Sequence, residues 1–138
     1  MPTMPTMPTT LRVRFHELDP YGHVNHAVYL TYLEVARIDH LAARGVELLE
    51  LEGRTGAQLV VVGIEVDYLA PAGAGDELTV TCALHERRRA SARFVQEVHR
   101  GTTVLVRARV RTATIDAMGR PMALPEELVG ALEGRVAR

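Results

Sequence analysis

The chain has no lysine, no tryptophan and only one cysteine, Cys82. A lone cysteine excludes a disulfide framework and a cysteine-built zinc site, and it fits a reducing, cytoplasmic compartment. Aromatic residues make up 4% of the chain, too few for the stacking platforms that hold nucleic-acid bases. Formal charge is nearly balanced at −1, so nothing pulls the whole molecule toward a polyanion, and any anion site must be a local cluster. No stretch approaches the ~18 unbroken apolar residues of a membrane span. All 16 basic residues are arginine. Compositional bias explains this most simply, although the guanidinium fork also suits phosphate. What is present is an ordinary globular mixture, 47% hydrophobic and 24% charged over 138 residues, enough for one domain with a core.

The opening threefold Met-Pro-Thr lacks the basic start and apolar middle of a signal peptide, and residues 1–10 read as a disordered tail before a single domain at 11–138. Leu11, Val13 and Phe15 alternate with arginines and predict a half-buried first strand. From Ala27 to Arg44 the period becomes helical, with Asn25 as N-cap and Gly45 as the stop. Thr31, Glu34, Arg37, His40 and Arg44 form one narrow polar stripe, which predicts a helix wrapped on most of its circumference.

Four more strands follow. They are Val60 to Tyr68; a third with Leu78, Val80, Cys82 and Leu84 inside; a fourth from Ala90 to His99; and a fifth with Val104, Val106, Ala108 and Val110 inside. Short links demand antiparallel pairing. A short helix, Glu126 to Leu132, closes the chain. One long helix among five strands needs apolar surface around it, so the class is α+β and the sheet must curl about the helix. Exposed edges and a second face are most simply covered by another copy, which predicts a homo-oligomer.

The string from Arg14 to Arg37, with Asp19-Pro-Tyr-Gly-His-Val-Asn-His26 at its centre, resembles the hotdog-fold acyl-CoA thioesterases of the 4-hydroxybenzoyl-CoA thioesterase family. The later Val66-Asp-Tyr-Leu-Ala-Pro-Ala-Gly-Ala-Gly-Asp-Glu-Leu78 is similar to that family's second strand and turn. The resemblance spans roughly Leu11 to Asp116. It implies a five-stranded curled antiparallel sheet around one long central helix, assembled as a homodimer or as a homotetramer of two dimers. It places Asp19 on the catalytic acid and His26 at the start of the central helix, where a backbone N–H faces the thioester carbonyl. His26 resembles the short-chain branch, whereas Gly22-His23-Val24-Asn25 resembles the long-chain branch.

Thioester hydrolysis needs attack at a carbonyl carbon and positive charge at its oxygen. A helix N-terminus has free N–H groups and about half a unit of positive charge. Asp19, close by in sequence, would act as nucleophile or as general base for water. An Asx turn before Pro20 is the competing reading of Asp19. The His26 ring would orient water or the acid, with packing at the helix end as the alternative. Tyr21, Gly22, His23, Asn25 and Tyr29 complete the substrate and oxyanion region.

Arg87, Arg88 and Arg89 are the densest basic cluster and could hold coenzyme A phosphates, or could be a solvated hairpin. Glu34 and Arg37 read as an intrahelical pair. Cys82 reads as core, and no Gly-x-Ser-x-Gly elbow supports a serine hydrolase. His16, His23 and His26 lack the spacing of zinc ligands, so no metal or redox cofactor is implied. The acyl-CoA would be a substrate, with no nucleic-acid or membrane partner. Two alternatives stand beside hydrolysis: a hotdog enoyl-CoA hydratase, whose own Asp/His motif is not found here, and a non-catalytic acyl-CoA sensor, which would not need Asp19.

Overall fold

The computed structural model describes residues 7–134. Its elements are β1 (Thr9–Arg12), a 3₁₀ turn (Phe15–Glu17), α1 (Val28–Ala42), α2 (Leu48–Thr55), β2 (Gln58–Tyr68), β3 (Glu77–Val80), β4 (Ala83–Arg87), β5 (Ser91–Arg100), β6 (Thr103–Ile115) and α3 (Glu126–Leu132). The strands form one antiparallel sheet in the order β1-β3-β5-β6-β2, with β4 also beside β5. The expected positions of β2, β5, β6 and the closing helix are found, whereas the sheet has six strands rather than five among the described residues. Most of the 1–10 tail lies outside the described residues, but Thr9 and Thr10 already pair with β3.

The sheet curls about α1. Tyr29, Tyr32, Leu33 and Ala36 point into one core cluster with Leu78, Val80, Val98 and Val106. A second cluster joins Leu41 and Leu51 to Phe94, Val110, Leu128 and Leu132. Buried Gln96 pins the helix to the sheet: its amide donates to the Leu33 carbonyl at 2.9 Å and its oxygen accepts from Arg37 at 3.0 Å. At the helix end, Gly45 sits at φ +86°, and the Val46 N–H reaches back to the Leu41 carbonyl at 3.0 Å. That is the left-handed stop glycine allows.

Several expectations are corrected. Phe15 is 86% exposed, because the Glu17 carboxylate takes the Arg14 N–H at 2.7 Å and turns the chain into the 3₁₀ turn, ending the alternation. The expected polar stripe is wet only at its start: Thr31 and Glu34 are exposed, but His40 and Arg44 are buried, and Arg44 donates to the carbonyls of Ala131 and Leu132 at the end of α3. The face left open carries Leu30, Val35 and Ile38 beside Thr31 and Glu34. The hydrogen bond of Arg37 goes to Gln96 rather than to Glu34. Helix α2 was not anticipated; it buries only Leu51, too little to show as a helical period. The third strand is broken between β3 and β4, where the Thr81 hydroxyl accepts from the Glu97 N–H at 3.0 Å.

Candidate active site

The loop between the 3₁₀ turn and α1 is a tight reversal built on Asp19. Its N–H donates to the His23 carbonyl at 2.6 Å, and its carbonyl accepts from the Gly22 N–H at 3.1 Å. Gly22 takes φ +79°, a conformation costly for a residue with a side chain. The Asp19 side chain closes the turn from within: Oδ1 accepts from the Tyr21 N–H at 2.9 Å and the His23 N–H at 3.1 Å. The Asx-turn reading is therefore correct for one oxygen. Oδ2 has no partner among the described residues. The carboxylate is half-buried and lines a cavity of about 310 Å³ together with His23, His26, Tyr29, Tyr68 and Pro71. One oxygen is fixed and the other is available.

The entry to α1 is arranged by Asn25. Its Oδ1 accepts from the Ala27 N–H and its carbonyl accepts from the Val28 N–H, both at 2.9 Å. Its own N–H donates to the Glu17 carbonyl at 2.9 Å. The expected N-cap at Asn25 is corrected: α1 starts at Val28 with Ala27 at its N-cap and no side-chain cap, and Asn25 instead holds the turn that leads into it. Between these satisfied amides, the His26 N–H donates to no group among the described residues. An uncommitted amide at a helix entrance is a donor for an external oxygen.

Tyr29 is buried, and burial pushes its phenol above the ordinary range. Its ring meets Tyr32 edge-on at 5.9 Å and Tyr68 at 5.6 Å. Tyr21 is 84% exposed and contributes its backbone to the turn; its side chain is not part of the cavity wall.

The Arg87–Arg89 run lies at the other end of β5 from the cavity, about 30 Å away along the strand. Arg87 holds Glu133 at 2.6 Å and Arg88 holds Glu86 at 3.0 Å. Arg89 is exposed. The guanidinium near the cavity belongs to Arg100, which donates to the Pro71 carbonyl at 3.1 Å and to Asp76 at 3.0 Å. Two contacts hold the Asp76 carboxyl below its usual range, first the Gly73 N–H and then Arg100.

Sequence reasoning missed Tyr68 and Arg100 as residues of this region. Tyr68 stood in the second motif and on the inward side of β2, but only the fold brings the end of that strand against the start of α1. No group of His, Cys, Asp and Glu suited to a metal ion occurs among the described residues. Among them, no helix is long and apolar enough to cross a membrane.

Comparison with known proteins agrees with this architecture. The sequence profile of the thioesterase-like superfamily matches residues 13–132. The acyl-CoA thioesterase YbgC of Haemophilus influenzae is 31% identical over 122 residues, covering 88% of this chain and 90% of that protein. The long-chain acyl-CoA thioesterase FadM of Escherichia coli is 39% identical over 80 residues, covering 58% of this chain and 59% of that protein. The crystal structure of a thioesterase from Thermus thermophilus, complexed with coenzyme A and Zn, superposes with a TM-score of 0.79 at 36% identity, covering 95% of this chain and 96% of that one. A chain with this fold and these relatives belongs to the thioesterase-like superfamily, and it is a hotdog-fold thioester hydrolase.

Proposed function

We propose that the chain hydrolyses acyl-CoA to a free carboxylic acid and coenzyme A, with Asp19 activating the attack. The observation that carries this reading is the division of labour within one carboxylate. Oδ1 is held by two backbone N–H groups, while Oδ2 is left for chemistry beside a cavity shared with His26.

As general base, Oδ2 takes a proton from water as the water oxygen bonds to the thioester carbon. The carbonyl π pair moves onto oxygen, where the His26 N–H stabilises it. Collapse re-forms the carbonyl and breaks the C–S bond, and the departing thiolate takes the proton. As nucleophile, Oδ2 itself bonds to the carbon, the thiolate leaves, and water then hydrolyses the mixed anhydride. Both routes use the same oxygen and the same amide. Removing one such oxyanion donor costs about 2.7–4 kcal/mol in other hydrolases, so the amide is a leading contributor. The His26 ring, also on the cavity wall, orients the water.

A second copy of the chain is part of this reading. Among the described residues β2 pairs with β6 on one side only, and Val61 and Val62 on its open edge are half exposed. Continuing the sheet through β2, with α1 beside its counterpart, covers Leu30, Val35 and Ile38 and closes a substrate channel along the subunit boundary. The Arg87–Arg89 run serves coenzyme A phosphates only if such an assembly brings it to another subunit's cavity. Within one chain, Arg100 has the better position. Cytoplasmic location follows from this reading of substrate and cysteine usage.

The test is thiol release from a panel of acyl-CoAs read with a thiol-reactive dye, using wild type and Asp19→Ala. The dye reports coenzyme A alone, because Cys82 is buried and burial pushes its thiol up to about 12. Thiol from wild type and none from the variant supports hydrolysis. Loss of enoyl absorbance without thiol supports a hydratase, and binding without turnover supports a sensor.

A further inference from the structure

The hydroxyl of Tyr68, the last residue of β2, donates to the His26 carbonyl at 2.7 Å. That carbonyl belongs to the peptide unit between residues 26 and 27, whose other end is also held: the Ala27 N–H donates to Asn25 Oδ1 at 2.9 Å. A peptide unit is planar, so fixing its oxygen and its N–H fixes its orientation. On the preceding side, the Asn25 N–H is fixed to the Glu17 carbonyl at 2.9 Å. The uncommitted His26 N–H belongs to the unit between residues 25 and 26, whose Asn25 carbonyl accepts from the Val28 N–H at 2.9 Å. That bond orients the unit from its oxygen side, and the unit Tyr68 holds, joined to it through the His26 Cα, fixes it from the other side.

Tyr68 is well placed to act as an anchor. Its strand is registered against β6 along its length, and the two residues after it both donate to the Leu105 carbonyl, at 2.8 and 3.2 Å. Its ring stands edge-on to His26 at 6.3 Å and 89°, and packs on Tyr29 at 5.6 Å. The ring therefore supports the imidazole while the hydroxyl holds the main chain. A donor on a rigid strand end is the kind of support an oxyanion site needs, because displacements of about 1 Å reduce rates by about a hundredfold.

We infer that Tyr68 is a positioning residue for hydrolysis, whose hydroxyl aims the His26 N–H at the thioester oxygen. This rests on the oxyanion role given to that amide in the proposed function. The hydroxyl is spent on the His26 carbonyl and acts on the reaction through it, without touching the reacting atoms.

Tyr68→Phe removes the hydroxyl and keeps the ring. Steady-state kinetics on an acyl-CoA that wild type hydrolyses, normalised to folded protein by circular dichroism, are expected to show kcat reduced 10- to 100-fold. KM, and binding of a non-hydrolysable acyl-CoA thioether, should change less than twofold. Unchanged kcat per folded molecule overturns the inference, and so does a raised KM with kcat intact. Asp19→Asn, run alongside, keeps the two claims apart. If it abolishes thiol release while Tyr68→Phe does not slow it, the positioning role alone falls. If Asp19→Asn is fully active, the proposed function falls with it.

Discussion

The phenol of Tyr32, on the buried face of α1, donates to the Glu17 carboxylate at 2.8 Å. The same Glu17 oxygen takes the Arg14 N–H at 2.7 Å, and the Glu17 carbonyl takes the Asn25 N–H. One residue thus ties the strand exit, the helix entrance and the helix body to the loop that presents Asp19. Burial, and then the neighbouring carboxylate, push the Tyr32 phenol far above its ordinary range, so it remains a donor at any working pH. Tyr32→Phe leaves the carboxylate short of a partner and should cost about 1.5–3 kcal/mol in urea denaturation. Turnover should fall severalfold as the loop loosens.

A second prediction concerns acid. The His40 ring is buried edge-on to Phe94 at 6.4 Å, and burial, assisted by the nearby Arg44 charge, lowers its pKa to about 4. The folded protein therefore holds a neutral ring, while the unfolded chain binds a proton below about pH 6.5. The contribution is whole above that value. It is lost progressively as pH falls from about 6.5 to about 4, to a total of about 3 kcal/mol. Urea denaturation at pH 7 and pH 4.5 should show this loss in wild type. His40→Gln should retain only the slope due to other groups; an identical slope in both proteins would contradict the assignment.

These two residues also show what was legible beforehand. The α+β class, the positions of β2, β5 and β6, and α3 followed from alternation and turn residues. The turns at Asp19 and Asn25 were legible for a local reason, that short polar side chains bond to their own backbone, although the N-cap itself falls at Ala27. His40 and Arg44 were not. A helical period shows which residues share a face but not where that face points, and these two face buried partners on β5 and α3. Tyr68 and Arg100 were hidden for a longer-range reason, since their partners lie 42 and 29 residues away in the chain.

The open edge of β2 supplies a third prediction. A long apolar edge recruits another strand, and lysine on such an edge discourages it. Wild type should sediment as a dimer or a larger assembly. Val62→Lys, on the half-exposed part of that edge, should shift it toward monomer and reduce thiol release if the channel is shared. A wild-type monomer at micromolar concentration would remove the shared-channel part of the proposal.

The account turns most directly on Asp19→Asn. The amide oxygen still accepts from the Tyr21 and His23 N–H groups, so the turn and the melting temperature should be kept. The anionic second oxygen is lost. Thiol release from acyl-CoA should fall by about 10²- to 10⁴-fold while binding of the thioether analogue persists. A folded Asp19→Asn protein that releases coenzyme A at the wild-type rate would contradict the central claim.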